Sequence, residues 1–104
     1  MHNNWKLFID DEREPVLGYW VISRTSADAI KQVQARGMPV EIAFDHDLGG
    51  DDTTMKFLNW LTEQLLDGTI EFPSNFKFSI HSMNPIGARN IADRMNGLLE
   101  HFTK

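Results

Sequence analysis

Three short clusters in this 104-residue chain combine residue types that can do chemistry. The first is Asp10, Asp11 and Glu12, followed by Arg13. The second is Asp45, His46 and Asp47, and the third is His81, Ser82 and Asn84. Carboxylates brought close together repel and raise one another's pKa, and a hard divalent cation removes that conflict. Oxygen donors of this kind suit Mg²⁺ or Mn²⁺, which makes Asp10, Asp11, Asp45 and Asp47 the candidate metal ligands. His46 or His81 would add a ligand for a softer metal, or would serve as general acid or base near neutral pH. Ser82 and the Asn84 amide are suited to hydrogen-bond a phosphoryl oxygen, together with free N–H groups at a helix start. Arg13 and Arg24 are suited to hold a phosphate bidentately.

Each feature also has a structural reading. Asp-Asp after a strand is common turn and cap chemistry. His81 alone would serve as a hydrogen-bonded core histidine, and Ser82 and Asn84 as helix caps. Asp51 and Asp52 read as a solvated loop and cap. Trp5, Trp20 and Trp60 read as core or sheet cover, and His2 and His101 carry no functional signal. The argument for function is the joint placement of the three clusters by the elements that precede them.

Trp5-Lys6-Leu7-Phe8-Ile9 is a short apolar run that reads as a buried strand feeding a polar loop. Residues 12–18 show no helical period, and Tyr19 to Ile22 is a second strand candidate. Thr25-Ser26-Ala27-Asp28 has the form of a capping box. The helix after it places Ala27, Ile30 and Val33 on one face and stops at Gly37. Val40 to Phe44 is the third strand, and Asp52 or Thr53 is the expected N-cap of the next helix. That helix runs from about Thr54 to Leu66, aligns Leu58, Leu61 and Leu65, with Phe57 beside them, and ends at Gly68. Phe76 to Ile80 is the fourth strand. Asn84-Pro85 then opens a last helix carrying Ile91, Met95, Leu98 and Phe102.

Strands alternating with helices imply a parallel sheet covered on both faces. Right-handed crossovers put every strand's carboxyl end on one edge, where such sheets bind ligands. With the first, third and fourth strands adjacent, the three clusters would lie side by side.

Composition bounds the rest. Hydrophobic residues make up 41% and charged residues 24%, as in a globular protein, and the length suits one domain. There are no cysteines, which excludes disulfides, thiol nucleophiles and Cys-based zinc sites. The absence of a long apolar run or signal peptide makes a cytoplasmic protein without membrane contact the expectation. The formal charge is -5, from 15 acidic and 10 basic residues, which argues against an extended nucleic-acid surface. Eight of the 15 acids fall within residues 10–14 and 45–52, so the acidity is local to the expected site. A bound divalent cation would offset part of it where a phosphate approaches. The oligomeric state is not legible from the periodicity.

Asp10-Asp11, Asp45 and Ser82 resemble, in order, the acidic pair, the phosphorylatable Asp and the hydroxyl residue of receiver domains. Two departures argue against an ordinary phosphoacceptor. The segment between the first two strands is too short for a normal crossover helix, and no fifth strand with its lysine is visible. The chain is more similar to the family described as cyclic-phosphate processing receiver domains. That resemblance rests on Leu7-Phe8-Ile9-Asp10-Asp11-Glu12-Arg13 with Pro15, Trp20 to Arg24, Phe44-Asp45-His46-Asp47-Leu48-Gly49 and His81-Ser82-Met83-Asn84-Pro85-Ile86-Gly87 with Asn90-Ile91.

The resemblance implies a three-layer, receiver-like (flavodoxin-like) α/β fold. Its parallel sheet would have about four strands, with the first crossover helix and fifth strand reduced or absent. It also implies metal-assisted action on cyclic or terminal phosphates of nucleotides or RNA ends, in a bacterial or phage setting. The expected function is therefore a metal-dependent phosphoesterase. In it, Asp45, His46 and His81 are catalytic candidates, and Asp45 is either a transient nucleophile or a metal ligand. Arg13, Arg24, Ser82 and Asn84 would place the phosphate. The alternative is a non-enzymatic receiver-like module whose acidic edge binds a ligand or partner.

Overall fold

Each apolar run expected as a strand pairs in parallel with a neighbour. The computed structural model describes residues 4–103, leaving His2 outside. Its strands are β1 (Lys6–Ile9), β2 (Val21–Ser23), β3 (Glu41–Phe44) and β4 (Lys77–Ile80), in the sheet order β2-β1-β3-β4. The helices are α1 (Ser26–Arg36), α2 (Thr54–Asp67) and α3 (Pro85–Phe102). This is the receiver-like α/β arrangement, with four parallel strands and no helix between β1 and β2. Each strand begins slightly later than expected, β2 by the most. Tyr19 is 98% exposed and contributes nothing to the sheet.

The register explains the burial. Leu7 pairs with Val21 and Ile42, and Ile9 pairs with Phe44, so alternation turns Leu7, Ile9, Ile42 and Phe44 to the same face. Residues from all three helices close over it: Ala29 and Val33 from α1, Phe57, Leu58, Leu61 and Leu65 from α2, Ile91, Met95 and Leu98 from α3. The opposite face carries the row Ile22, Phe8, Ala43 and Ser79 and the row Lys6, Glu41 and Lys77. Helices were expected on both faces, and here the structure corrects the sequence reading. No helical residue among those described joins this second face, and the third layer is the 10–20 segment. Trp20 meets Phe8 edge-on at 5.8 Å. Glu41 lies 3.7 Å from Lys6 and 3.8 Å from Lys77. A parallel sheet usually needs cover on both sides. Here the strands are short and the far half of the helix-free face is charged, so one loop suffices.

Helix ends follow local chemistry. Thr25 Oγ1 accepts from the Asp28 N–H at 3.0 Å, which is the hydroxyl half of the expected capping box. Asn84 Oδ1 accepts from the Gly87 N–H at 3.0 Å, with Pro85 opening α3. Gly68 ends α2 at φ 76, in the left-handed region. Thr53 is the N-cap of α2 but makes no side-chain capping bond.

Asp52 has a different job from the solvated cap expected of it. Its carboxylate accepts from the Ser26 N–H at 2.8 Å and from the Ser26 hydroxyl, joining the loop after β3 to the start of α1. This anchor also explains why the buried face of α1 is Ser26, Ala29 and Val33, with Ala27 exposed. The predicted face is rotated because Ser26 is held inward. Trp5 and Trp60 pack against the core and Trp20 covers the sheet, as expected. No helix among the described residues is long and apolar enough to cross a membrane.

Asp52→Ala should therefore destabilise the fold by about 1–3 kcal/mol, because it leaves the Ser26 donors without a partner. Asp51→Ala, at an exposed neighbour, should stay within about 0.5 kcal/mol of wild type. Urea unfolding of the two variants checks the difference.

Candidate functional site

The sheet's hydrogen-bond ladder runs one residue past the strand ends. The Asp10 N–H donates to Ser23 O at 3.1 Å, that of Asp45 to Ile9 O at 2.9 Å, and that of His81 to Phe44 O at 2.9 Å. The backbone thus places Asp10, Asp45 and His81 in one row, from three clusters far apart in sequence.

Asp10 is fully buried. Its Oδ1 accepts from the N–H groups of Glu12 at 2.9 Å and Arg13 at 2.8 Å, which curls the loop around it. Its Oδ2 lies 3.0 Å from His81 Nε2. The His81 ring stacks on Phe8, at 4.7 Å between centroids and 7° between planes. Burial alone would raise the Asp10 carboxyl, but the two N–H groups and the charges of His81 and Arg13 outweigh it and hold it below the usual aspartate range.

Asp45 shows the opposite balance. Burial raises its carboxyl, and the charges of Asp10 and Asp11 push the same way against the His46 N–H and the His81 charge. That N–H reaches Asp45 Oδ1 at 2.9 Å, while the buried Thr54 hydroxyl holds the Asp45 carbonyl. Asp10, Asp11 and Asp45 each offer an oxygen within 4.8 Å of the others. Oxygens bound to one small divalent cation sit at about 2.1 Å from it. The donor chemistry fits such a cation, which would also offset the charge of the two acids beside the raised Asp45.

A cleft of about 310 Å³ opens beside these carboxylates, and Arg13, Asp47, Ser82 and Asn84 also line it. Arg13 Nη1 donates to the His81 carbonyl at 2.8 Å, tying the first loop to the last. Ser82 Oγ accepts from the Asn84 N–H at 3.1 Å. Both Ser82 and Asn84 therefore organise the start of α3 while facing the cleft.

Three expectations change in detail. Arg24 does not line the cleft: its guanidinium donates to the carbonyls of Asp10 at 3.3 Å and Arg13 at 2.7 Å and pairs with Glu14. It braces the loop that holds Asp10. Asp47 stands outside the three-carboxylate group. Its oxygens meet His46 Nδ1 at 3.0 Å and Asn84 Nδ2 at 3.4 Å, and these two hydrogen bonds hold its carboxyl low. His46 wedges against α3, where a Cβ added at Gly87 would collide with the His46 ring. Its ring positions the loop after β3 against the helix. Sequence reasoning missed Phe8, Thr54 and Gly87. The strand period placed Phe8 opposite Leu7 and Ile9 and was the available signal, whereas the contacts of Thr54 and Gly87 exist only in three dimensions.

A family model described as the cyclic-phosphate processing receiver domain matches residues 5–97. The chain belongs to that family. No curated protein and no solved structure matches it significantly.

Two predictions follow from the geometry. Gly87→Ala should cost about 1–3 kcal/mol through overpacking against His46. Adding His46→Ala should recover most of that loss, and urea unfolding of the single and double variants measures the coupling. The raised Asp45 carboxyl means that folded-state stability falls as pH rises through its folded pKa, while the unfolded chain ionises at the ordinary value. In EDTA, Asp45→Asn should therefore melt above wild type near neutral pH, with the gap closing as pH falls to the ordinary aspartate range. Added Mg²⁺ should raise the melting temperature of wild type and leave the variant nearly unmoved.

Proposed function

We propose that this domain is a metal-dependent phosphoesterase acting on cyclic or terminal phosphates of nucleotides or RNA ends. One observation supports the reading above others. Oxygens of Asp10, Asp11 and Asp45 converge beside a cleft that Arg13, Ser82 and Asn84 also line, with His81 hydrogen-bonded to one of the three carboxylates. Asp10, Asp11 and Asp45 would hold Mg²⁺ or Mn²⁺. When bound, such a cation supplies Lewis acidity to a phosphoryl oxygen and makes water a better nucleophile.

The protein's own groups have separate tasks. Arg13 offers the cleft a positive charge for the phosphate. Ser82 already accepts the Asn84 N–H, which leaves its hydroxyl proton free to donate to a phosphoryl oxygen. With Nε2 directed at Asp10, His81 has its second ring nitrogen, Nδ1, to offer for proton transfer. In hydrolysis of a 2′,3′-cyclic phosphate, Nδ1 takes a proton from water as its oxygen bonds to phosphorus. One ribose P–O bond breaks, and the leaving oxygen receives the proton. Asp47 and His46 act through position, by fixing Asn84 and the start of α3.

Purified protein with Mg²⁺ or Mn²⁺ should hydrolyse a 2′,3′-cyclic nucleotide, and EDTA should stop it. Asp45→Ala and His81→Ala should each lower kcat by about 10²-fold or more while circular dichroism stays native. Failure of the wild type to hydrolyse any cyclic or linear phosphoester with Mg²⁺, Mn²⁺ or Zn²⁺ overturns the proposal. A stable phosphoryl adduct on Asp45 after acetyl phosphate treatment, seen by intact mass without turnover, would favour a regulatory module instead.

A further inference from the structure

The helix-free face of the sheet holds a second groove, of about 360 Å³, outside the acidic cleft. It is lined by the cross-strand row Phe8, Ala43 and Ser79, of which Phe8 and Ala43 are nearly covered and the small Ser79 is exposed. Val16, Leu17 and Trp20 form the wall. Val16 is 94% and Leu17 83% exposed, an apolar rim that the rest of the described chain leaves in water. Trp20 is fixed there, since its Nε1–H donates to Leu17 O at 2.8 Å and its ring meets Phe8 edge-on. The one acid on the rim, Glu14, is paired with Arg24.

The groove and the cleft meet at Arg13. Arg13 lines both, and His81 borders the groove while its Nε2 faces Asp10. Arg13 Nη1 ties the two residues together through the His81 carbonyl. A ligand whose phosphate sits among Arg13, Ser82 and the carboxylates would therefore extend naturally past His81 onto the helix-free face. What the groove offers it there is apolar, aromatic and neutralised in charge, with a guanidinium at the junction.

We propose that this groove is a nucleobase subsite, so that the substrate is a nucleoside phosphate whose base lies over Ser79 against Trp20. The proposal rests on the phosphoesterase reading for the position of the phosphate. A base is a flat π system one sugar away from its phosphate, and stacking on protein aromatics is tolerant of base identity. The expected preference is accordingly for nucleosides as a class. The base belongs to either a mononucleotide or the terminal residue of an RNA.

Two measurements test it. First, kcat/KM is compared for ribose 2,3-cyclic phosphate without a base, for a nucleoside 2′,3′-cyclic phosphate and for a trinucleotide ending in that group. The base-bearing substrates should be favoured about tenfold or more, and the ratio between the last two identifies the source of the base. Ser79→Trp, which fills the groove, and Leu17→Asp, on the exposed rim, should each bring the preference for a base close to unity. Second, the Trp20 indole N–H resonance, assigned with Trp20→Phe, is followed with Mg²⁺ present. It should shift with adenosine 3′-monophosphate and not with ribose 5-phosphate.

Equal rates on all three substrates, unchanged in Ser79→Trp, overturn the subsite and leave the phosphoesterase standing. No hydrolysis of any substrate, with Trp20 still responding to the nucleotide alone, overturns the phosphoesterase and keeps the subsite. A Trp20 resonance unmoved by the nucleotide overturns the subsite whatever the hydrolysis result.

Discussion

Three backbone hydrogen bonds just beyond the strand ends determine the rest of this structure. They hold Asp10, Asp45 and His81 in the register of the sheet, so side chains distant in sequence meet without any contact of their own having to assemble them. The strands behind them are short, and their positions are set by Leu7, Ile9, Ile42 and Phe44, which the helices bury. Apolar burial is non-directional and supplies most of the drive, while the parallel ladder converts it into placement. The loops have only to bring in what the strands do not, and their hydrogen bonds show how: Asp10 takes the N–H groups of its own loop, and Arg24 and Arg13 bind loop carbonyls.

That placement concentrates negative charge, and the two buried-edge aspartates respond differently. Asp10 has enough donors to stay ionised in spite of complete burial. Asp45 has one backbone donor and two acidic neighbours, and burial raises it. A surface acid would relax such repulsion by moving into water. Here the Thr54 hydroxyl on the Asp45 carbonyl and the anchor of Asp52 to Ser26 keep the loop after β3 in place. Burial, with two acidic neighbours, therefore keeps the Asp45 carboxyl raised in a loop that cannot swing it into water.

The strands, the caps of α1 and α3 and the placement of the three polar clusters after their strands were legible in the sequence because each depends on neighbouring residues. Alternation located the core strands, and Thr25 and Asn84 carried their capping partners within the next turn. Less legible were roles assigned by distant partners. Arg24 resembled a phosphate ligand but serves the Asp10 loop, because Glu14 and two carbonyls claim its donors. Asp52 resembled a solvated cap but binds Ser26, and that bond rotated the α1 face away from the one its periodicity suggested. The helix-free sheet face was hidden for a related reason. A missing helix between β1 and β2 was evident, yet which face the remaining three would share depends on crossover geometry that no local pattern encodes.

The stack of Phe8 under His81 has a consequence for timing. A histidine at the end of an edge strand would ordinarily sample several χ rotamers, and restricting it when a ligand arrives would weaken binding. Phe8 is set by the sheet and the His81 ring lies parallel to it, with Nε2 already directed at Asp10. The ring's rotational entropy is thus surrendered when the chain folds. Every subsequent encounter meets an imidazole that is already aimed.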